Sequence, residues 1–198
     1  MSGRLGIPVV PDIDVEALEG RYIGFNGQSQ RILTGVEGTQ QTLLYNAQGD
    51  RLATLDGRFR GFFAEGQRIL TRTEAGDRTR IYDANGTEQV SFVGGNPKLS
   101  PNEQVLLLNG ADDDETTYLY RVSGEAIATL KGVFGHFSAD GQRIATSVEP
   151  LDERDRSWLY DAAGNERAEH QGGLPRVKLN AQNNGPYIVT SGRPGQKL

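Results

Sequence analysis

One sequence pattern recurs along the whole chain, and this repeat constrains the fold more than any other feature. Glycines at 20, 57, 94, 132 and 172 open successive copies, so the intervals are 37, 37, 38 and 40 residues. Each copy contains four short candidate strands, and their shared positions are Phe25, Phe62, Leu99 and Phe137 in the first strand and Tyr45, Tyr82, Tyr120 and Tyr160 in the third. A unit of this size cannot bury both faces of its sheet, so neighbouring units must stack.

The turn before each fourth strand carries a polar residue and a glycine. It reads NAQG, DANG, VSG and DAAG in the four copies. An Asp or Asn side chain accepts hydrogen bonds from its own turn, and glycine supplies the positive φ of a bulged hairpin. We therefore interpret Asp161 and Gly164 as turn formers rather than ligands.

Tandem units of four antiparallel strands predict an all-β fold, a small five-bladed β-propeller of four-stranded antiparallel blades. The whole chain, 1–198, forms a single repeat domain with blades at 20–56, 57–93, 94–131 and 132–171. Half-blades at 6–20 and 172–198 would combine into a fifth blade, close the ring and remove both sheet edges. A ring closed in this way is monomeric.

The alternative is an open piece of a longer array, which would be a homo-oligomer, an accessory subunit or a fragment of a larger propeller assembly. Pro8 and Pro11 weaken the first half-blade, because proline cannot donate a hydrogen bond to a strand ladder.

The segment FSADGQRIAT at 137–146, followed by WLYDAAGNERA at 158–168, resembles WD40-type repeats of bacterial, especially cyanobacterial, propeller proteins. The resemblance covers the four full copies, residues 20–171. The terminal Trp-Asp of that pattern is replaced by Tyr45-Asn46, Tyr82-Asp83, Tyr120-Arg121 and Tyr160-Asp161, and its Gly-His is reduced to glycine, which puts the family's hydrogen-bonded tetrad in question. The resemblance implies a non-enzymatic scaffold for protein–protein contacts.

Composition excludes several chemistries. The sequence contains no cysteine, which excludes disulfides, Cys-ligated zinc, iron–sulfur clusters and a Cys nucleophile. The net charge of −5 disfavours binding to nucleic-acid phosphates. His136 and His170 are the only histidines, and we interpret them as a channel-lining or packed residue and a surface residue. We expect no catalytic residue, no cofactor and no metal site.

No targeting segment is visible in the sequence. The apolar patch near the start is short and interrupted by proline, unlike a signal peptide. No apolar run approaches the roughly 18 residues of a membrane-spanning helix. We expect a cytoplasmic protein that does not bind membranes.

A site at the channel mouth is the competing prediction, either carbohydrate-binding and lectin-like or glycosidase-like. A glycosidase would need carboxylates there. The predicted first strands YIGF, FRGF, PKL, FGHF and VKL contain none and instead carry Arg60, Lys98 and Lys178. The candidate loops are also too unlike one another to indicate repeated sugar-binding positions.

The predicted loops between second and third strands concentrate the negative charge. They carry eleven carboxylates and four arginines, a net charge of −7 when the whole chain has −5. The carboxylates are Glu37, Glu74, Asp77, Asp112, Asp113, Asp114, Glu115, Glu149, Asp152, Glu153 and Asp155, and the arginines are Arg72, Arg78, Arg154 and Arg156. In a propeller these loops share one face, which would attract a basic partner.

We therefore predict a protein partner with a basic surface, bound chiefly across 112–115 and 149–156. The candidate partner-binding residues are Asp112, Asp113, Asp114, Glu115, Glu149, Asp152, Glu153, Asp155 and Trp158. A solvated rim that only keeps the protein soluble is the alternative. Residues 112–115 lack the spacing of a calcium loop. Trp158, the single tryptophan, is favoured to pack in the core or rim, although tryptophan is also common at interface hot spots.

Overall fold

The computed structural model describes residues 15–74, 78–110, 115–148, 156–171, 175–176 and 189–190. Within these ranges the chain is all-β apart from one 3₁₀ helix, Val15–Ala17. The chain divides into two compact units, Met1–Val93 and Gly94–Leu198.

The first unit contains two four-stranded antiparallel sheets. Their strands follow in sequence order, β1-β2-β3-β4 and β5-β6-β7-β8. The bounds are β1 Arg21–Asn26, β2 Arg31–Gly35, β3 Gln41–Tyr45, β4 Arg51–Asp56, β5 Arg58–Phe63, β6 Arg68–Thr73, β7 Arg78–Asp83 and β8 Glu88–Val93.

The second unit repeats this arrangement and adds one short strand pair. Its sheets are β9-β10-β11-β12 and β13-β14-β15-β16, and β17 pairs with β18. The bounds are β9 Gly95–Leu99, β10 Val105–Asn109, β11 Thr116–Arg121, β12 Ala126–Lys131, β13 Val133–Phe137, β14 Arg143–Ser147, β15 Arg156–Asp161, β16 Glu166–Gln171, β17 Pro175–Arg176 and β18 Val189–Thr190.

The two middle strands of each sheet hold most of its buried side chains. In the first unit Leu33, Leu44 and Leu55 of one sheet pack against Ile69 and Tyr82 of the next. The second unit repeats the contact, in which Leu107, Leu119 and Leu130 meet Ile144, Trp158 and Tyr160. Each fully buried side chain of this size contributes about 1.5–3 kcal/mol, so stacking of neighbouring sheets forms the core.

The predicted turn chemistry is confirmed. Asp161 accepts hydrogen bonds from the backbone N–H groups of Ala163 at 3.0 Å and Asn165 at 2.9 Å, and Gly164 has a φ of +81°. The pairing of β15 with β16 shifts register between Leu159 and Tyr160, which is the bulge that the glycine allows.

The N-terminal end of the described chain contacts the first sheet. Val15–Ala17 forms a 3₁₀ helix rather than a strand, but Leu18 then packs on the cluster of Ile32, Leu43 and Tyr45. Leu18 therefore contacts the face of the first sheet that is not turned to the second sheet.

The described residues contain four four-stranded sheets, as the sequence predicts for the full copies. None of these sheets closes on itself. The half-blades at 6–20 and 172–198 lie largely outside the described residues, and a fifth blade and closure of the ring remain predictions.

Candidate functional site

The loop between the second and third strands and the connection to the following sheet lie at the same end of each sheet, because successive strands alternate in direction. Glu37, Glu74 and Glu115 occupy these loops in three sheets, and all three are exposed. The carboxylates predicted to form the acidic face are therefore solvated wherever the structure describes them.

Most of the predicted partner-binding residues lie outside the described ranges. These are Asp112, Asp113, Asp114, Glu149, Asp152, Glu153 and Asp155. Glu115 and Trp158 are described, and the structure brings them together at one cavity of the second unit.

Three arginines counted with the loops belong instead to strands. Arg72 lies in β6, Arg78 in β7 and Arg156 in β15. The strands are longer than the sequence pattern indicated, because their hydrogen-bonded ladders continue past the apolar residues. Eleven carboxylates and a single arginine, Arg154, therefore remain between the strands, so the loops are more acidic than predicted.

The cavity at Glu115 has a volume of about 560 Å³. Its apolar lining comes from Leu130, Val148 and Trp158, and Glu115 and Arg156 also line it. Trp158 is 7 % exposed and belongs to the core between the third and fourth sheets. Its indole N–H is buried and has no acceptor among the described residues.

The basic side chains of this cavity are paired with carboxylates. Arg156 Nη1 lies 3.6 Å from Glu169 Oε1, and Lys131 Nζ lies 3.0 Å from Glu166 Oε2. The hydrogen bond to Glu166 raises the pKa of Lys131 above its ordinary value. The positive charges of Arg156 and Lys131 are therefore partly neutralised by these carboxylates.

The first unit has a cavity of about 610 Å³. Ile23, Val36 and Phe59 give it an apolar lining, and its charged lining residues are Arg21, Glu37 and Arg58. Arg58 also forms an ion pair with Glu74, with 3.5 Å between Nη1 and Oε1. Both cavities therefore combine apolar side chains with one carboxylate and two basic groups.

The sequence analysis missed a hydroxyl network where one sheet connects to the next. Thr34, Thr71 and Thr146 donate to the carbonyl groups of Glu19, Asp56 and Lys131 at 2.5, 2.6 and 2.5 Å. Each acceptor lies 15 residues earlier in the chain, at the end of the preceding repeat. The signal was present, since threonine recurs in the second strands RILT, RILT and RIAT.

Third-strand tyrosines complete this network. The Tyr82 hydroxyl accepts the N–H of Asp56 at 3.2 Å, and Tyr160 accepts that of Lys131 at 3.0 Å. Burial raises the pKa of both phenols, so they remain neutral donors and acceptors. These tyrosines stand at the position of the Trp in the WD40 pattern and supply a different link between sheets.

The remaining candidates carry no site in the described part of the chain. His136 lies in the first strand β13, as predicted, and His170 in β16, while the predicted surroundings of both side chains remain predictions. No group of three or more His, Asp or Glu among the described residues could hold a metal ion. None of the helices found in the described ranges has the length and apolar character needed to cross a membrane.

Comparison with known proteins identifies the fold. No family model matches the chain, and no curated protein matches it. Among solved structures, the C-terminal WD40 domain of Sif2 is 14 % identical with a TM-score of 0.52, and the match covers 84 % of this chain and 56 % of that one. The Swd1 β-propeller domain of Myceliophteria thermophila is 15 % identical with a TM-score of 0.50, covering 72 % and 56 %.

A third similar structure is that of the dihydro-heme d1 dehydrogenase NirN. It is 17 % identical with a TM-score of 0.58, and the match covers 85 % of this chain and 39 % of that one. The chain thus spans between about two fifths and three fifths of the length of these structures. The four-stranded sheets described above therefore share the fold of WD40-like β-propeller repeats.

Proposed function

We propose that this protein is a non-enzymatic scaffold that binds a protein partner with a basic surface through its acidic loops. One observation carries the proposal: the segments between second and third strands contain eleven carboxylates and one arginine, while the net charge of the chain is only −5. Exposed Glu37, Glu74 and Glu115 belong to these segments.

The mechanism is rigid display combined with electrostatic attraction. Stacked sheets hold the loop ends at fixed places, so that less conformational entropy is lost on binding. A concentration of negative charge raises the association rate of a positively charged partner and lowers that of nucleic acid. The proposal includes a cytoplasmic location and a five-bladed ring, completed by the half-blades at 6–20 and 172–198, in which all the acidic loops share one face.

The competing proposal of a sugar-binding or hydrolytic site at a channel mouth has less support. The first strands β1, β5, β9 and β13 contain no Asp or Glu. The likeness to a dehydrogenase among the solved structures is a likeness of fold.

The test is binding of a fluorescein-labelled octalysine peptide, followed by anisotropy at 50 and 300 mM NaCl. We expect saturable binding at low salt that weakens at high salt, because exposed charges are screened over about 10 Å at 0.1 M ionic strength. Neutralising Asp112, Asp113, Asp114 and Glu115 to the corresponding amides should weaken binding about tenfold at 50 mM NaCl, since each exposed pair is worth about 0.2–1 kcal/mol.

A charge-matched control neutralises four carboxylates in turns at the opposite ends of their sheets. Asp50, Glu65, Glu103 and Glu125 meet this requirement, as they lie between first and second or third and fourth strands. The control variant should bind octalysine within about twofold of the unaltered protein. Equal weakening in both variants would show that only net charge matters and would reject an acidic binding face.

A further inference from the structure

Three Asn-Gly pairs lie in the described part of the chain, and the fold holds them to different degrees. They are Asn26-Gly27, Asn85-Gly86 and Asn109-Gly110, and a fourth at 184–185 lies outside the described residues. An asparagine before glycine readily loses its side-chain amide, because glycine has no Cβ to hinder attack by its own backbone nitrogen. The structure therefore decides which of these pairs can react in the folded protein.

Asn85 is exposed in the turn between β7 and β8. An arginine of the first sheet holds this turn, since Arg31 Nη2 donates to Asn85 Oδ1 at 3.0 Å and Arg31 Nε donates to the Ala84 carbonyl at 2.6 Å. Within the turn, the backbone N–H of Gly86 donates to the Asp83 carbonyl at 3.0 Å. Exposed turns open at a low free-energy cost, so these hydrogen bonds limit how often Gly86 can reach the Asn85 side chain.

The other two described pairs are held more firmly. Asn26 is half-buried, and its Oδ1 accepts the backbone N–H of Ser29 at 2.8 Å and the Ser29 hydroxyl at 3.0 Å. It also packs so closely on Gly66 that a Cβ there would clash with the Asn26 carboxamide. Asn109 lies in β10, which pairs with a strand on each side. Attack on either carboxamide therefore needs a larger opening of the sheet than attack on Asn85.

We propose that Asn85 is a site of spontaneous deamidation in the folded protein, and that Arg31 is a latch that slows the reaction. The Gly86 nitrogen attacks Asn85 Cγ, its proton passes to the side-chain amide, and ammonia leaves a succinimide ring. Water then adds across one C–N bond of the ring. Opening at the side-chain carbonyl gives aspartate, and opening at the main-chain carbonyl gives isoaspartate.

The latch acts on the geometry that the reaction needs. The carboxamide of Asn85 has to turn toward the Gly86 nitrogen, while Arg31 holds its oxygen against the neighbouring sheet. The Gly86 N–H also has to leave the Asp83 carbonyl, while the second hydrogen bond from Arg31 fixes the adjacent Ala84 carbonyl. Isoaspartate would lengthen the main chain of this turn by one methylene group, whereas aspartate would add a carboxylate beside Arg31.

The experiment follows deamidation of the full chain by mass spectrometry during incubation at pH 8.5 and 37 °C. Trypsin separates the three pairs into the peptides 22–31, 81–98 and 99–121. Digestion in water enriched in heavy oxygen marks any deamidation that occurs during the digestion itself. We expect Asn85 to react at least fivefold faster than Asn26 or Asn109 in the folded protein, and all three to react within about twofold in 8 M urea.

Two variants test the residues involved. Arg31→Ala should speed deamidation of Asn85 at least threefold. The matched control is Arg51→Ala, since Arg51 belongs to the same sheet but pairs with Glu19 at 3.0 Å, and it should leave the rate unchanged. Asn85→Gln should abolish the reaction in peptide 81–98, because the ring would need one more atom. Gln48 already occupies the same turn position in the first sheet, so glutamine fits this turn.

Each outcome supports or overturns one part of the proposal. Deamidation of Asn26 or Asn109 as fast as that of Asn85 in the folded protein would reject Asn85 as the favoured site, and so would no reaction at Asn85. A mass gain that persists in peptide 81–98 of the Asn85→Gln variant would also reject it. An unchanged or lower rate in Arg31→Ala would overturn the latch, as would an equal acceleration at Asn109 or in Arg51→Ala.

Discussion

Single hydroxyl groups connect neighbouring sheets in this fold. Tyr82 accepts the Asp56 N–H and donates to the Asp56 carbonyl at 3.4 Å, while Thr71 donates to the same carbonyl at 2.6 Å. Burial raises the pKa of Tyr82, and the phenol therefore stays protonated across the neutral range. Tyr82 and Thr71 together therefore satisfy the backbone N–H and carbonyl groups at the end of β4.

Asp161 gives a prediction about pH. The side-chain amide and the backbone N–H of Asn165, followed by the guanidinium of Arg167, hold the pKa of this carboxyl well below its ordinary value. A depressed pKa in the folded state contributes stability above the unfolded pKa of about 3.9. This contribution is lost as the pH falls below about 4.

The test is Asp161→Asn, which keeps an acceptor oxygen in the turn. Asn46 already fills this role in the first sheet, where its Oδ1 accepts the N–H groups of Gln48 and Asp50 at 2.9 Å. Urea unfolding from pH 7 to 3 should show the free-energy difference between the two proteins shrinking as the pH falls below about 4. A difference that stays constant with pH would contradict the assigned pKa direction.

The element that most restricts the sequence is the connection from one sheet to the next. Gly132 joins β12 to β13 with a φ of +79°, and a Cβ there would lie 2.8 Å from Trp158 Cζ3 and 2.9 Å from the Ser147 carbonyl oxygen. The recurrent glycine that defines the repeat is therefore required by backbone conformation and by close packing together.

Two glycine substitutions separate the cost of backbone strain from the cost of close packing. Gly38→Ala, at a φ of +72° with no atom within 4 Å, should lower the free energy of unfolding by about 1 kcal/mol from backbone strain alone. Gly132→Ala adds the clash and should lower it by about 3 kcal/mol. Chemical denaturation of both variants measures the difference, and equal losses would show that the close contacts at Gly132 relax without cost.

At the scale of the whole molecule, the central question is how the first and last repeats bury the sheet faces that have no neighbouring repeat. Blades in a closed ring have no unpaired partner face, whereas an open array must bury its terminal faces against other chains. Within the described residues Leu18 packs on the outer face of the first sheet, and Thr34 donates to the Glu19 carbonyl at 2.5 Å. Thr71 and Thr146 make the same hydrogen bond to the last residue of the preceding sheet.

Light scattering tests the proposed closure. We expect a mass near 21.6 kDa that does not change between 50 and 500 mM NaCl, because a ring completed by 6–20 and 172–198 leaves no blade face exposed. A stable dimer or larger species would mean that terminal repeats pair between chains. The five-bladed ring would then have to be abandoned.

The strands and turns of the described repeats could be predicted from the sequence, because their causes are local. Apolar runs such as RILT select buried strands, and Asp or Asn three residues before glycine selects a bulged turn. The acidity of the loops could likewise be read directly. The sequence did not predict that Arg72, Arg78 and Arg156 lie in strands. Backbone hydrogen bonds between two strands continue through polar residues as long as both strands remain extended.

Only the tertiary structure decided which faces meet. The links from Thr146 and Tyr160 to Lys131 join residues 15 and 29 apart, and they form only when one sheet stacks on another. The cavity of Glu115, Leu130 and Trp158 likewise combines two sheets. Sequence patterns indicate which side chains of a strand can be buried. Which residues of the next sheet they contact depends on how the sheets stack, and a local pattern does not predict that.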